Sequence, residues 1–369
     1  MKVVSVVGAR PNYMKVAPLV KRLRATPGVD SILVHTGQHY DSLMSDRFFM
    51  DLDLPEPDIN LGIGPGTHAQ QTAKALVGCE KLLQEHRPDW VIVVGDVNST
   101  VACALAAAKL QIRIAHVEAG LRSFDRRMPE EVNRVLTDHL ARLLFTHSEE
   151  ADGNLIREGI PVTRICNVGN VMIDALLSSL ERASQSTILE DLGVRTKSYA
   201  LMTLHRPENV DRPETLLDIL DAVSDVQELL PVIFPVHPRT QRCLEGIGPQ
   251  RGTEFSSRFR RIDPLGYLDF LQLMRYASFV LTDSGGVQEE TTFLGVPCIT
   301  LRETTERPVT VRLGTNEVVG TNRERIRVAC EKALSREGAP ASIPPLWDGH
   351  TADRIVEMLL KAPLTEGDP

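Results

Sequence analysis

The chain has 369 residues, of which 42% are hydrophobic and 24% are charged, a composition that excludes wholesale disorder and leaves room for about two domains. Its net charge of −8 argues against general nucleic-acid binding, which needs clustered cations. The six widely spaced cysteines favour single thiols in a reducing cytosol over a disulfide framework or a zinc site. The sequence has no secretion signal and no apolar run long enough to span a membrane, so we expect a cytoplasmic protein with no membrane partner.

Short apolar segments alternate with helical patterns along the first half of the chain. Such alternation is typical of a parallel sheet that is covered by helices on both faces. The predicted strands are residues 2–8, 31–37, 90–95, 112–118 and 164–169. The predicted helices are residues 14–24, 69–83 and 101–109.

The same alternation restarts after about residue 170, which indicates a second doubly wound α/β half. Its predicted strands are residues 199–204, 231–236, 279–282 and 296–301. Its predicted helices are residues 215–228, 268–275 and 288–294, and an amphipathic helix over 351–361 follows near the end of the chain.

Candidate functional residues lie directly after the apolar segments, because ligands of open α/β sheets bind beyond the carboxyl ends of the strands. The turn at 8–15 places Arg10 and Lys15 around a helix start, where free N–H groups and the helix dipole favour an anion. A plain turn with two solvated cations is the alternative. Asp96 follows a strongly apolar strand and has either a catalytic or a hydrogen-bonding role, whereas Asn98 or Ser99 is a candidate helix cap.

A third junction carries further ionisable residues. Strand alternation predicts that His116 and Glu118 share one face. Glu130 and Arg134 stand four residues apart on a predicted helix and can meet on its surface, where an ordinary ion pair is the alternative interpretation. Acid/base chemistry on a sugar needs several carboxyl groups of this kind near strand ends. Asp96, Glu118 and Glu130 are therefore the candidates for it.

The second half has its own polar junctions. His205 ends the first strand of this half, and His237 ends the next, where a purely structural histidine is the alternative. Arg307 belongs to a polar loop over 302–308 that we expect to close the same site.

A glycine-rich turn in the second half is the candidate phosphate cradle. Ser284, Gly285 and Gly286 expose backbone N–H groups at a helix start, which suits a diphosphate. Glu290 follows one to two turns into that helix and is placed to accept the hydroxyl groups of a ribose. A simple glycine-rich turn is the alternative.

Taken together, these junctions resemble the UDP-N-acetylglucosamine 2-epimerase family of the non-hydrolysing bacterial type. The stretches that carry the resemblance are 116–122, 129–134, 205–209, 283–290 and 304–308, in this order. The resemblance implies a glycosyltransferase-B architecture, in which two Rossmann-like domains face each other across a cleft. It assigns residues 1–170 and the C-terminal helix 351–369 to the N-terminal domain, and 171–350 to a UDP-binding domain. It also implies a homodimer that needs neither a metal nor any other cofactor.

The resemblance further implies a reaction that inverts C2 of a UDP-linked 2-acetamido sugar, such as UDP-N-acetylglucosamine, in a polysaccharide-building pathway. UDP leaves across C1–C2 to give a glycal, and then adds back while a proton reaches the opposite face of C2. The implied acid/base residues are Asp96, Glu118 and Glu130, with His205 near the leaving diphosphate. The implied substrate-binding residues are Arg10, Lys15, Arg134, His237, Ser284, Gly285, Gly286, Glu290 and Arg307.

The sequence also departs from the family pattern. The turn at 8–12 reads GARPN instead of GTRPE, and the loop at 123–128 is about two residues shorter than usual. Many bacterial members hold a second, activating substrate molecule with an Arg-Gln pair, but the corresponding stretch at 64–68 reads GPGTH. Gln38 and His237 match other parts of that site. We therefore predict that the substrate does not activate this protein.

Several alternatives stay open at this point. The departures also resemble the branch that acts on UDP-2,3-diacetamido sugars with a uronic acid, so the sugar is not fixed. A hydrolysing epimerase and a glycosyltransferase of the same fold are further possibilities. A non-catalytic nucleotide-sugar sensor is disfavoured, because a sensor does not need the set Asp96, Glu118, Glu130 and His205.

Overall fold

The computed structural model describes residues 1–8, 10–38, 56–247, 256–335 and 342–362, with the backbone alone described at Arg10, Pro11 and Ile247. The chain divides into two compact units. The first contains Met1–Ser178 and the C-terminal segment from Pro345, and the second contains Ser179–Pro344. The division falls inside the helix Val171–Ala183, beyond the boundary at 170 that the sequence analysis proposes.

The first unit is built on a seven-stranded sheet of the order β3-β2-β1-β4-β5-β6-β7. Every strand pair in it is parallel, so all carboxyl ends lie at one edge. The order reverses between β1 and β4, which is where doubly wound sheets bind ligands. The strands are β1 Lys2–Val7, β2 Asp30–His35, β3 Ile59–Asn60, β4 Trp90–Val94, β5 Arg113–Val117, β6 Leu143–Thr146 and β7 Ile165–Asn167.

The second unit repeats this plan with a six-stranded sheet of the order β10-β9-β8-β11-β12-β13. All of its strand pairs are parallel as well. The order reverses between β8 and β11, so the residues that follow these two strands mark the expected ligand position. The strands are β8 Ala200–Thr203, β9 Val232–Pro235, β10 Phe259–Ile262, β11 Phe279–Thr282, β12 Cys298–Thr300 and β13 Asn316–Val318.

Helices connect the strands in both units. A single turn of 3₁₀-helix at Val162–Arg164 precedes β7. The described helices are α1 Arg10–Arg24, α2 His68–His86, α3 Asn98–Lys109, α4 Pro129–Leu140, α5 Glu149–Arg157, α6 Val171–Ala183, α7 Ile188–Asp191, α8 Pro207–Val210, α9 Pro213–Leu229, α10 Pro238–Ile247, α11 Tyr267–Tyr276, α12 Gly285–Leu294, α13 Pro308–Arg312, α14 Arg323–Ser335 and α15 Thr351–Lys361. Among the described residues, no helix has both the length and the apolar character of a membrane span.

The central strands are nearly continuous apolar runs because helices cover both faces of each sheet. All five residues of β4 and all four of β11 are buried. The apolar faces of α2 and α3 pack on the first sheet, and there Cys79 and Cys103 form a disulfide with their Cα atoms 5.5 Å apart. The expectation of single thiols is therefore wrong for this pair, since packing joins two cysteines that are 24 residues apart in the sequence.

The C-terminal segment packs onto the first unit. The carboxylate of Asp174 accepts hydrogen bonds from the backbone N–H groups of Thr351, at 3.2 Å, and Ala352, at 2.8 Å. It thereby caps α15, whose own N-cap side chain makes no such bond. The indole of Trp347 donates to the carbonyl oxygen of His147 at 3.0 Å. These contacts fix the last described helix, and the segment before it, against residues 177 to 200 positions earlier.

Candidate active site

Asp96 lies directly beyond β4, in the first unit, and is held by a buried cation. Gly95 has a φ of 68° and turns the chain off the strand. One oxygen of the Asp96 carboxylate lies 2.5 Å from a guanidinium nitrogen of Arg134, which is 3% exposed. The side-chain amide of Asn133 donates to the backbone carbonyl of Asp96 at 2.9 Å. Arg134 and Asn133 thus connect helix α4 to the end of β4.

Glu118 lies beyond the neighbouring strand β5 in a strained backbone conformation. Its φ of 69° is in the left-handed region, which costs a residue with a Cβ about 1–3 kcal/mol. Its carboxylate forms an ion pair with the ammonium of Lys15, and the two side chains are 6% and 11% exposed. A Cβ on Gly95 would lie 3.2 Å from this carboxylate, so the glycine also gives it room. Strain of this kind persists where the surroundings hold a functional side chain in place.

A buried polar cluster ties the two strand ends together. The ring of His116 contacts Asp138 at 2.6 Å through Nδ1 and the carbonyl oxygen of Gly95 at 2.8 Å through Nε2. The Asp138 carboxylate also contacts Arg122 at 2.7 Å and accepts the N–H of Gly120 at 3.2 Å. Burial alone would raise the pKa of Asp138, but His116 and Arg122 outweigh it and hold that pKa below its usual value.

His116 therefore has a structural role, in which it holds Asp138 and the end of β4 in place. The prediction that it shares a face with Glu118 is wrong in its premise, because β5 ends at Val117 and the left-handed turn at Glu118 breaks the alternation. His116 is fully buried, and both of its ring nitrogens are engaged.

Two adjacent glutamates on the first turn of α4 have different environments. Glu130 is partly exposed. Glu131 is 2% exposed and accepts hydrogen bonds from the backbone N–H groups of Ser123 and Phe124, both at 2.9 Å, and from Arg134, also at 2.9 Å. Sequence reasoning missed Glu131. The signal that indicates it is a glutamate at the third helical position, a place from which carboxylates commonly reach back to free N–H groups.

The turn between β1 and α1 is only partly described. Residue 9 and the side chain of Arg10 lie outside the described residues, so the predicted phosphate contact of Arg10 stays a prediction. Asn12, on the first turn of α1, donates its side-chain amide to the carbonyl oxygen of Val94 at 2.5 Å. Helix α1 therefore begins against the end of β4, and this brings Lys15 to Glu118.

In the second unit, His205 and Asp283 meet at the point where the strand order reverses. His205 follows β8 and is partly exposed, whereas Asp283 follows β11 and is fully buried. Nδ1 of His205 lies 3.1 Å from the Asp283 carboxylate. His237 is exposed, and its ring lies 5.9 Å from that of His205, centre to centre. The two predicted histidines are therefore neighbours.

The glycine-rich turn begins helix α12 directly after Asp283. A Cβ on Gly285 would lie 2.5 Å from a guanidinium nitrogen of Arg307, so a larger residue there would displace that guanidinium. Arg307 is 6% exposed and lies 3.2 Å from Glu289 and 3.6 Å from Glu306. The guanidinium thus packs against the first residue of α12, and the free N–H groups at this helix N-terminus suit an anion.

Glu290 lies deeper in the same helix and is 3% exposed. It accepts a hydrogen bond from the hydroxyl of Tyr267 at 2.8 Å. Burial, above all, and the nearby charge of Glu289 raise the pKa of Glu290 to about 8, against the lowering effect of the Tyr267 hydrogen bond. A carboxyl group of this kind is poised to release a proton when a ligand supplies better donors.

The structure places the predicted site residues in two sets. In the first unit, Lys15 pairs with Glu118 and Arg134 pairs with Asp96 beyond the ends of β4 and β5, and Glu130 lies on the first turn of α4. The second unit holds the other set, which comprises His205, His237, Ser284, Gly285, Gly286, Glu290 and Arg307. Within the described ranges, no group of three or more His, Cys, Asp or Glu side chains is arranged to hold a metal ion.

Comparison with known proteins gives a consistent result. A family model described as UDP-N-acetylglucosamine 2-epimerase matches residues 21–360. The chain is 44% identical to a UDP-N-acetylglucosamine 2-epimerase of Methanocaldococcus jannaschii over 97% of this chain and 99% of that one. It is 40% identical to a UDP-2,3-diacetamido-2,3-dideoxy-D-glucuronate 2-epimerase of Pseudomonas aeruginosa, over 98% of this chain and all of the relative.

Solved structures agree with these sequence matches. The crystal structure of the M. jannaschii enzyme, in complex with UDP-GlcNAc and UDP, superposes with a TM-score of 0.90 over 98% of this chain and 99% of that one. A lipopolysaccharide outer core galactosyltransferase matches with a TM-score of 0.58 at 12% identity, over 98% of this chain and 99% of that chain, a likeness of fold alone. The predicted fold class, two Rossmann-like domains of the glycosyltransferase-B type, is confirmed.

Proposed function

Because the chain belongs to the UDP-N-acetylglucosamine 2-epimerase family, we propose that it is an isomerase that inverts C2 of a UDP-linked 2-acetamido sugar. UDP-N-acetylglucosamine is the first candidate substrate. The observation that carries the proposal is the pair of carboxylates beyond β4 and β5, next to the point where the strand order of the first sheet reverses. Asp96 and Glu118 follow the adjacent strands β4 and β5, and each is held against a buried cation, Arg134 or Lys15.

The reaction we propose has two balanced steps. In the first, a carboxylate removes the proton from C2 while the C1–O bond to UDP breaks, which leaves UDP and a 2-acetamidoglucal. In the second, a diphosphate oxygen adds back to C1 and an acid delivers a proton to the opposite face of C2. Asp96, Glu118 and Glu130 are the candidates for these transfers.

The second unit supports the UDP part of this proposal. The free N–H groups of Gly285 and Gly286 begin α12, and a helix N-terminus of this kind favours the negative diphosphate. Arg307 packs against Gly285 and is a further candidate contact. Glu290 is the candidate acceptor for ribose hydroxyls, and His205 the candidate contact of the leaving diphosphate. Preorganised positive charge of this kind stabilises the charge that develops as UDP departs. Arg10, Lys15 and His237 complete the proposed substrate contacts.

The alternative substrate and the biological setting of the protein belong to the proposal as well. The 40% identity to a diacetamido-glucuronate 2-epimerase keeps a UDP-2,3-diacetamido uronic acid as the alternative substrate. A homodimer, a cytoplasmic location and a part in polysaccharide synthesis remain predictions from the family resemblance.

A panel of UDP-sugars tests the proposal. The protein is incubated with UDP-N-acetylglucosamine, with its 2-epimer and with the diacetamido uronate, and the products are identified by NMR. We expect the C2 epimer with UDP still attached. Release of free sugar and UDP would show a hydrolysing enzyme. Turnover only on addition of an acceptor sugar would identify a glycosyltransferase.

A further inference from the structure

Asp283 is a fully buried carboxylate that the proposed function does not use. It lies between the end of β11 and the glycine-rich turn. Its oxygens accept hydrogen bonds from the backbone N–H groups of His205, at 3.1 Å, and Arg206, at 2.9 Å. The side-chain amide of Asn209 donates to it as well, at 3.2 Å. Asp283 therefore closes the turn that leads from β8 into α8.

The remaining contact of Asp283 reaches the imidazole ring itself. Nδ1 of His205 lies 3.1 Å from Oδ1. Burial would raise the pKa of Asp283, but the hydrogen bonds and charge of His205 outweigh it, together with the N–H group of Arg206, and lower that pKa below its usual value. The carboxylate is thus ionised and offers the ring only acceptors.

An acceptor at Nδ1 fixes the ring in one tautomer. The proton of the neutral imidazole lies on Nδ1, and Nε2 is left as the ring nitrogen that exchanges a proton with a ligand. The same logic governs the aspartate of the Ser-His-Asp triad, which orients the histidine and stabilises its charged form without itself gaining a proton.

We propose that Asp283 is a positioning residue for His205, which holds the imidazole as the Nδ1–H tautomer and turns Nε2 to the departing diphosphate. This inference rests on the proposed role of His205 and deepens it. The glycine-rich turn begins at Ser284, the residue that follows Asp283. Asp283 thus fixes the tautomer of the His205 ring and directly precedes the glycine-rich turn. In the proposed reaction, this ring and this turn contact the same diphosphate.

His237 provides an internal reference for the test. Its Nδ1 accepts the backbone N–H of Arg239 at 3.2 Å, so its neutral ring carries the proton on Nε2. The two neighbouring histidines are therefore expected in opposite tautomers. Long-range ¹H–¹⁵N NMR of the native protein, at a pH where both rings are neutral, distinguishes these forms. An Nε2–H signal for His205 would overturn the inference without any variant.

Kinetics of single and double variants provide the second test. In Asp283→Asn, the amide oxygen stays with the backbone N–H groups, so the amide NH₂ turns to the ring and forces the proton onto Nε2. We expect kcat to fall on the order of 10²–10⁴-fold, as when a triad histidine takes the wrong tautomer, with UDP affinity nearly unchanged. Asp211→Asn removes an exposed carboxylate that pairs with Arg239 and serves as the control, with native kcat expected.

The double-mutant cycle separates this inference from the proposed function. If Asp283 acts through His205, then adding Asp283→Asn to His205→Asn costs no further activity. Additive losses in kcat would overturn the positioning role, as would native kcat in Asp283→Asn. Native kcat in His205→Asn would instead refute the proposed role of His205, while the NMR result still decides whether Asp283 sets the tautomer. If Asp283→Asn does not fold, the native-protein NMR decides alone.

Discussion

Lys15 and Glu118 form a buried ion pair although 103 residues separate them in the sequence. Helix α1 supplies the cation and the residue after β5 supplies the carboxylate. Because both side chains are nearly excluded from water, each compensates the buried charge of the other. The pair lies next to Gly95, which precedes Asp96, so a disturbance of it reaches two of the three candidate acid/base residues, Asp96 and Glu118.

We predict that Lys15→Met destabilises the protein strongly, because it removes the cation that pairs with the buried Glu118 carboxylate. The loss should be on the order of 3–5 kcal/mol in the free energy of unfolding, measured by denaturant titration. Lys15→Met/Glu118→Gln should recover most of the stability but none of the activity. Lys2→Met is the control, since its exposed pair with Asp30 should contribute at most about 1 kcal/mol. Equal losses for the two single lysine variants would contradict this account.

A second prediction contrasts the two neighbouring glutamates of α4. Glu130→Gln should keep the stability of the native protein and slow turnover by about 10²–10⁴-fold, as for a lost general acid or base. Glu131→Gln weakens the hydrogen bonds that the Glu131 carboxylate accepts from Ser123, Phe124 and Arg134, and it should lower the melting temperature. Thermal unfolding measured beside kcat distinguishes the two. A stable, fully active Glu130→Gln protein would remove that residue from the proposed mechanism.

A third prediction concerns protons released on UDP binding. With a pKa of about 8, Glu290 is mostly protonated at pH 7. Ribose hydroxyls that donate to it favour the ionised form, so UDP binding should lower this pKa and expel a proton at pH 7. At pH 9 the group is already ionised and the release should vanish. Titration calorimetry in buffers of different ionisation enthalpy measures it, and Glu290→Gln is the variant in which no release is expected.

The comparison of sequence with structure shows which signals are local. Strand β11 and helix α15 have their predicted bounds, because an apolar run and an amphipathic period are both recognisable from residues that are neighbours in the sequence. Asp96 was identifiable for the same reason, since it directly follows such a run. Glu131, Asp138 and Asp283 were not identified as important, because their roles depend on partners from distant elements. The strands β3, β6, β10 and β13 were not predicted, because runs of two to four residues are too short to show a period.

A fourth prediction concerns the loop before α2. Gly64 has a φ of 71°, and Thr67 caps the helix through a reciprocal bond with Gln70, so the stretch serves as a helix start. It offers no arginine for a second substrate molecule. We expect the rate to depend hyperbolically on substrate concentration, and the reverse reaction to run without added forward substrate. A sigmoidal curve in initial-rate measurements would show that the loop is misread.

The most direct test of the proposed mechanism is the fate of the C2 proton in D₂O. Elimination and re-addition require the proton to leave C2 as H⁺ and to return from a group that exchanges with solvent. The epimerised UDP-sugar formed in D₂O should therefore carry deuterium at C2 and at no other carbon, in both directions of the reaction, as read by NMR and mass spectrometry. A C2-inverted product without deuterium would contradict the mechanism and point to hydride transfer.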